Sequence, residues 1–351
     1  MTWKSNGLNQ KITPEMMYFI EALKVEGYWS IKHRGGEIQN KNVPLISYFE
    51  KILSDYKVKT SKRILMKIKP TDQDFCKKDI KVLLGMKKIG FHFEYSPFDK
   101  SKKIVFYLPY KVDYDIIIQF KQQTIPMKTH VGTENVEIEC IYPSYGYIGL
   151  RFFDTDFIKF VDGLSFGKGS HKIRINPLLF QAEPISVASA LSAVIDCDGS
   201  LDYYRHFRKI RLRMRNFKYL KDWQKLLKKF DISCRVDLEG LTIEGWEDFN
   251  KLMNLGIKLF HSKKSKKWDK IINSYKRKQV SRNTALSFYV KELRKINTPI
   301  LASEFAKIIG KSKRVVNHYL LKLEKQNLLN IDKSNVGWKY SVKEEKNQSR
   351  G

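Results

Sequence analysis

The chain is short of acid, of cysteine and of long apolar runs. Its 351 residues carry 37 Asp and Glu against 66 Lys and Arg, a net charge of +29. That imbalance points to a polyanionic partner, with nucleic acid ahead of an anionic membrane. There are four cysteines, Cys76, Cys140, Cys197 and Cys234, and no two form a C-x-x-C pair. This excludes a disulfide frame and a zinc site and fits small buried thiols in a reducing cytoplasm. The seven histidines show no H-x-x-x-H spacing, which argues against a transition-metal site. No apolar run approaches the length of a membrane span, and the opening M-T-W-K-S-N-G is polar, with no secretory leader. A cytoplasmic, nucleoid-associated protein with no membrane partner is expected.

What is present centres on Ala190–Ser200, A-L-S-A-V-I-D-C-D-G-S. Leu191, Val194 and Ile195 are apolar at helical spacing. Ala190, Ser192, Ala193 and Cys197 are small, so another helix backbone can come close. Gly199 ends the helix and leaves the Asp198 carboxylate at a helix C-terminus, where the macrodipole favours cations. The acid there is solvated or neutralised, and a divalent metal is one neutralising partner. An earlier stretch repeats the design. Thr13 and Pro14 start a helix that runs through M-M-Y-F-I-E-A-L-K-V to Glu26-Gly27.

The repeat extends further. After Glu26-Gly27 come Y-W-S-I-K-H-R as a strand, a Gly35-Gly36 turn, the strand E-I-Q-N, an amphipathic helix from Asn42 and the strand R-I-L-M-K-I-K. After Asp198-Gly199 come L-D-Y-Y-R and K-I-R-L-R-M-R as strands, a helix from Asn216, the strands I-S-C-R-V-D-L and G-L-T-I-E-G-W, and the helix E-D-F-N-K-L-M-N-L. The two middle helices match at Leu45/Tyr219, Phe49/Trp223, Ile52/Leu226 and Leu53/Leu227. Self-similarity at this period is stronger evidence than either motif alone. Residues 71–134 have no counterpart and read as an insertion containing a hairpin, with V-E-I-E-C-I, Y-I-G-L-R-F-F and D-T-D-F-I-K-F-V resuming the repeat.

A third unit follows the basic linker Lys276–Arg282. Its pattern is L-S-F-Y-V-K-E-L, then A-S-E-F-A-K-I-I-G, then a helix capped by Ser312, then a hairpin from L-L-N-I and W-K-Y-S-V turning at Asn335 to Gly337. Three helices and a hairpin resemble a winged helix-turn-helix domain, and the tail 344–351 reads as disordered.

The nonamer Leu191–Gly199 resembles the signature of the LAGLIDADG homing endonuclease family, and Phe19–Gly27 resembles a second, degenerate copy. There Glu21 and Val25 stand where small residues are usual, and Lys24 stands in place of the first acid. The resemblance implies an α+β fold of two pseudo-symmetric αββαββα half-domains forming a β-saddle, here 1–185 and 186–280, with the small winged helix domain at 281–343. It implies a monomer with an internal pseudo-twofold axis. It also implies Glu26 and Asp198 as catalytic and metal-binding acids, Mg²⁺ as cofactor and double-stranded DNA as substrate. Asp196 reads as structural, and Tyr18, Phe19 and Phe49 as core. Two other functions fit the same resemblance: a regulator that binds DNA without cutting it, and an RNA-binding, maturase-like protein.

The cations support a nucleic-acid surface independently. Lys209, Arg211, Arg213 and Arg215 alternate with Ile210, Leu212 and Met214, so one strand face is basic. Arg63, Lys67 and Lys69, and Ser30, Lys32 and Arg34, alternate similarly in the first half. Such strands can lie in a major groove. Lys311, Lys313, Arg314, Asn317 and His318 sit on or before the early turns of the presumed recognition helix.

Overall fold

The Thr13 hydroxyl accepts from the Met16 N–H at 3.3 Å, Pro14 takes the first helical position, and helix α1 spans Pro14–Glu26. The computed structural model describes residues 2–5, 8–96, 100–164, 172–204, 207–274, 284–333 and 337–343. The linker Lys276–Arg282, the tail 344–351 and the turn residues Asn335 and Val336 lie outside them. The chain divides into two compact units, Met1–Ile272 and Asn273–Gly351.

In the first unit α1 leads into strands Gly27–Ser30 and Gly35–Asn40, helix α2 (Val43–Asp55), strands Lys59–Ile68 and Ser144–Phe153, and helix α3 (Thr155–Leu164). The same order returns as helix α4 (Pro184–Asp198), strands Gly199–Tyr204 and Phe207–Leu212, helix α5 (Phe217–Lys228), strands Arg235–Asp237 and Gly240–Glu244, and helix α6 (Trp246–Leu255). In both sheets the four strands lie in the spatial order first, second, fourth, third, and every pairing is antiparallel. The fold is thus mixed α+β, with the αββαββα order present twice. Helix α7 (Ser262–Ser274) follows.

The local signals explain the repeat. Asn42 Oδ1 caps α2 by accepting from the Leu45 N–H at 3.2 Å, and Asn216 Oδ1 caps α5 from Tyr219 at 3.1 Å. All four matched apolar pairs of these helices are buried. Helices α1 and α4 pack against each other. Each is enclosed on nearly every side, so neither shows the one-sided apolar stripe of a surface helix.

Two sequence expectations are corrected here. Strand Gly27–Ser30 stops early, and residues 31–34 form a turn closed by the Arg34 N–H on the Ile31 carbonyl at 3.1 Å. Lys32 and Arg34 therefore sit in an exposed turn, not on alternate strand positions. Gly35 and Gly36 start the next strand. A Cβ on Gly36 would fall 2.3 Å from the Phe152 ring, so glycine lets that strand lie against Ser144–Phe153.

The insertion is also wider than 71–134. Val136–Glu139 pairs with Gln123–Val131 in a separate five-stranded sheet, and only Ser144–Phe153 returns to the repeat. Alternation looks the same whichever sheet a strand joins, so the pattern alone misplaced it. The anticipated hairpin is Phe91–Tyr95 with Lys102–Pro109, and its second strand pairs with Lys59–Ile68 to widen the first sheet. The inner face of the inserted sheet, with Ile116, Ile118, Phe120, Ile125 and Met127, shares a core with α1 and α2.

The second unit contains helix α8 (Ala285–Ile296), strand Ile300–Leu301, helices α9 (Ala302–Ile308) and α10 (Lys313–Lys325), and strands Leu329–Asp332 and Lys339–Val342. Ser312 Oγ caps α10 by accepting from Val315. Tyr289, Phe305, Val316, Leu320, Leu323 and Tyr340 form its core. The two-residue strand Ile300–Leu301, paired with the hairpin, was too short to announce itself by periodicity.

Candidate site at the paired helix ends and the basic surface

The packing of α1 on α4 brings Glu26 and Asp198 into electrostatic reach of each other. Glu26 Oε2 accepts from Asn40 Nδ2 at 2.6 Å. Burial pushes the Glu26 carboxyl up to about 7, and the Asp198 charge adds to this while Asn40 and Lys264 oppose it. Asp198 is raised as well, by desolvation, with Lys264 opposing.

The sequence singled out both acids but missed the cation within electrostatic reach of both. Lys264 folds back from α7, and its ammonium donates to the carbonyls of Ile195 at 3.0 Å, Asp196 at 2.6 Å and Cys197 at 3.2 Å. It thereby satisfies carbonyls at the end of α4 and neutralises the negative pole of the helix. Burial lowers its own pKa, and the surrounding acids oppose that. The run S-K-K-S-K-K was the available signal, but spacing cannot say which lysine returns to a helix end so far away in sequence.

The departures in the first motif also find partners. Glu21 and Lys24 pair with each other at 2.7 Å, both buried, and Tyr219 donates to Glu21 at 2.9 Å. Asp196, read as a structural acid facing solvent or a neighbouring backbone, does meet a backbone N–H but faces no solvent. It is fully buried and accepts from the Tyr18 hydroxyl at 2.5 Å and the Phe260 N–H at 2.7 Å. Burial raises its carboxyl to about 6 against those bonds. Tyr18, Phe19 and Phe49 are core.

The residues at the helix ends do not fit Mg²⁺ well. Glu26 and Asp198 are the two carboxylates there, but Glu26 already accepts from Asn40, and Lys264 already supplies positive charge to both acids and to the end of α4. A cavity of about 530 Å³ opens beside these ends, lined among others by Glu26, Asn40, Ser200, His261, Lys263 and Lys264.

The predicted cationic rows survive in part. Lys209 and Arg211 alternate with buried Ile210 and Leu212. Their charges are met by neighbouring acids, Lys209 by Glu244 at 3.0 Å and Arg211 by Asp202 at 3.2 Å and Glu239 at 3.1 Å. The expected mutual repulsion is thus relieved within the sheet, since Glu244 lies opposite Lys209 in register. Arg213 and Arg215 fall beyond the strand end and are exposed. Arg63 is tied to buried Glu37 and lies 3.7 Å over the Tyr107 ring. Lys67 pairs with Glu94 at 2.6 Å and approaches Tyr147, and Lys69 follows the strand, half-buried. In the second unit Lys313, Arg314 and His318 are exposed on the first turns of α10, with Asn317 half-buried among them.

No family model matches the chain, and no curated protein matches it. Among solved structures it is similar to a full-length DUF199/WhiA protein from Thermatoga maritima, at 12% identity and a TM-score of 0.37, over 90% of this chain and 92% of that one. It is also similar to an N-terminal LAGLIDADG domain of DUF199/WhiA, at 11% identity and a TM-score of 0.32, over 73% of this chain and 88% of that one. The fold described above stands on its own strand order.

Proposed function

We propose that the chain is a double-stranded DNA-binding protein on a LAGLIDADG-type scaffold that acts as a regulator, without cutting the strand. The observation that carries the non-cleaving half of this reading is Lys264. Its ammonium is bonded to the carbonyl end of α4 and lies within electrostatic reach of Glu26 and Asp198, so it supplies there the positive charge a metal would otherwise supply. The binding half is supported by the +29 charge, the exposed Arg213 and Arg215, and the basic early turns of α10, which in a winged helix would face a groove.

A second reading, a Mg²⁺-dependent endonuclease, is favoured by one fact: both motif-end acids are present and coupled. Incubating a supercoiled plasmid library with the full chain and Mg²⁺, beside Glu26→Gln/Asp198→Asn, separates the two. Salt-sensitive binding with no nicking supports the regulator. Nicking that the double variant loses replaces it with the enzyme, and absence of duplex binding with retained RNA binding replaces both.

A further inference from the structure

The sheet of the first half has two unlike faces. Ile64, Met66, Ile104, Phe106, Ile148 and Leu150 turn into the core, and the alternate residues turn away from it. On Ser144–Phe153 those are Tyr145, Tyr147, Gly149, Arg151 and Phe153, so a strand in the middle of the sheet presents three rings. Register carries the pattern sideways. Tyr147 lies opposite Leu65, which lies opposite Tyr107. Tyr145 lies opposite Lys67, which lies opposite Val105 and then His92. Leu65 and Val105 are buried, while Tyr145 is 49% and Phe153 41% exposed. Tyr107 and Tyr147 are half-buried.

Cations stand over these rings. Lys67 is 5.8 Å from the centre of Tyr147, Lys103 is 6.0 Å from Tyr145, and Arg151 is 4.7 Å from Phe153. Lys67 shares its charge with Glu94. The second half's sheet is built otherwise. Its matching face holds Asp202, Lys209 and Glu244 in one row and Ser200, Arg211, Thr242 and Arg235 in the next, and neither row has a ring.

The difference bears on what each half can grip. In a duplex the bases stack on one another and offer only their edges to a groove, so an exposed ring face has no base to stack on. A sheet that carries aromatic rings among cations suits a strand whose bases are free: the rings take the bases and the cations the phosphates.

We propose that this face of the first sheet stacks the unpaired bases of a DNA strand, with Tyr145 and Tyr147 as the platform and Lys103 and Arg151 toward the phosphates. The inference rests on the DNA-binding reading and deepens it, since the ligand becomes a duplex that opens into a single strand.

The test is fluorescence anisotropy on the full chain with four labelled probes: a blunt duplex, the same duplex with an oligo(dT) overhang, oligo(dT) alone and oligo(U) alone. The variants are Tyr145→Ala/Tyr147→Ala, Tyr145→Phe/Tyr147→Phe, which keeps the rings, and Tyr95→Ala as control, an exposed tyrosine on the opposite alternation of Phe91–Tyr95. Thermal melting checks that each is folded, and Tyr145→Ala alone stands in if the double alanine variant is not.

The overhang duplex is expected to bind more tightly than the blunt one. The alanine variant should weaken binding of oligo(dT) and of the overhang duplex by about tenfold or more and leave the blunt duplex unchanged. The phenylalanine variant and the control should bind all probes as wild type does. Equal binding of blunt and overhang duplexes, or an alanine variant that holds oligo(dT) as well as wild type, overturns the proposal and leaves duplex binding intact. A phenylalanine variant as weak as the alanine one also overturns it, because the hydroxyls and not the rings would then make the contact. Tighter binding of oligo(U) than of oligo(dT) overturns it in favour of RNA. Ring-dependent binding of oligo(dT) by a chain that binds no blunt duplex sustains the platform and ends the duplex reading, and a chain that binds none of the probes ends both.

Discussion

Tyr219 of the second half donates its hydroxyl to Glu21 of the first at 2.9 Å, and Glu21 shares its charge with Lys24, buried beside it. Removing one partner of a buried ion pair leaves the other uncompensated. Glu21→Ala is therefore expected to destabilise the chain by about 3–5 kcal/mol, while Glu21→Leu/Lys24→Met together cost far less or stabilise. Tyr219→Phe should cost about 1–3 kcal/mol, because it removes one donor from a buried charge. Urea unfolding of the three variants measures this.

Lys264 holds three carbonyls at the end of α4. Lys264→Met is expected to lose about 1–3 kcal/mol of stability. Lys264→Arg should fail to restore it, since a planar fork cannot gather three carbonyls as a compact ammonium does. Thermal melts at matched pH decide the point.

The raised Glu26 carboxyl makes stability depend on pH. Its folded value of about 7 lies above the ordinary 4.5, so between those values the folded state holds the proton more often than the unfolded state. Stability from this group therefore falls as pH rises from 4.5 to 7. His261, lowered to about 4, acts with the opposite sign between pH 4 and 6.5, so wild type is compared with Glu26→Gln. The variant should gain about 1–3 kcal/mol relative to wild type on going from pH 4.5 to 7.5. A flat difference across that range contradicts the buried-acid account.

The cations should separate into two kinds. Arg213→Gln and Arg314→Gln, at exposed positions, are expected to weaken duplex binding at every sequence and to lower the log-log salt slope by about one each. Arg63→Gln should chiefly lower stability, because it leaves buried Glu37 without its counter-charge, held only by Tyr28 and Gln39 among the described residues. Filter binding over a range of salt, with melting curves alongside, distinguishes them.

Much of this was legible in the chain. The caps Thr13, Asn42, Asn216 and Ser312 all hold the N–H groups their positions require. The matched apolar residues of α2 and α5 gave the repeat, because burial periodicity is written locally. What could not be read was pairing over distance. Val136–Glu139 alternates equally well for either sheet. Lys209 and Arg211 looked unopposed until Glu244, Asp202 and Glu239 were brought beside them by register. Glu21 and Lys24 looked like damage to a motif, and each turned out to be the other's counter-charge.

That buried trio has a bearing on whether the halves could be exchanged. Tyr219 comes from α5 and has leucine at its matched place in α2, so two copies of the first half, set together, would bury Glu21 and Lys24 with no phenol to meet them. A gene cut between the halves would yield a first fragment poorly suited to its own twin. The two halves are thus fitted to each other and not interchangeable.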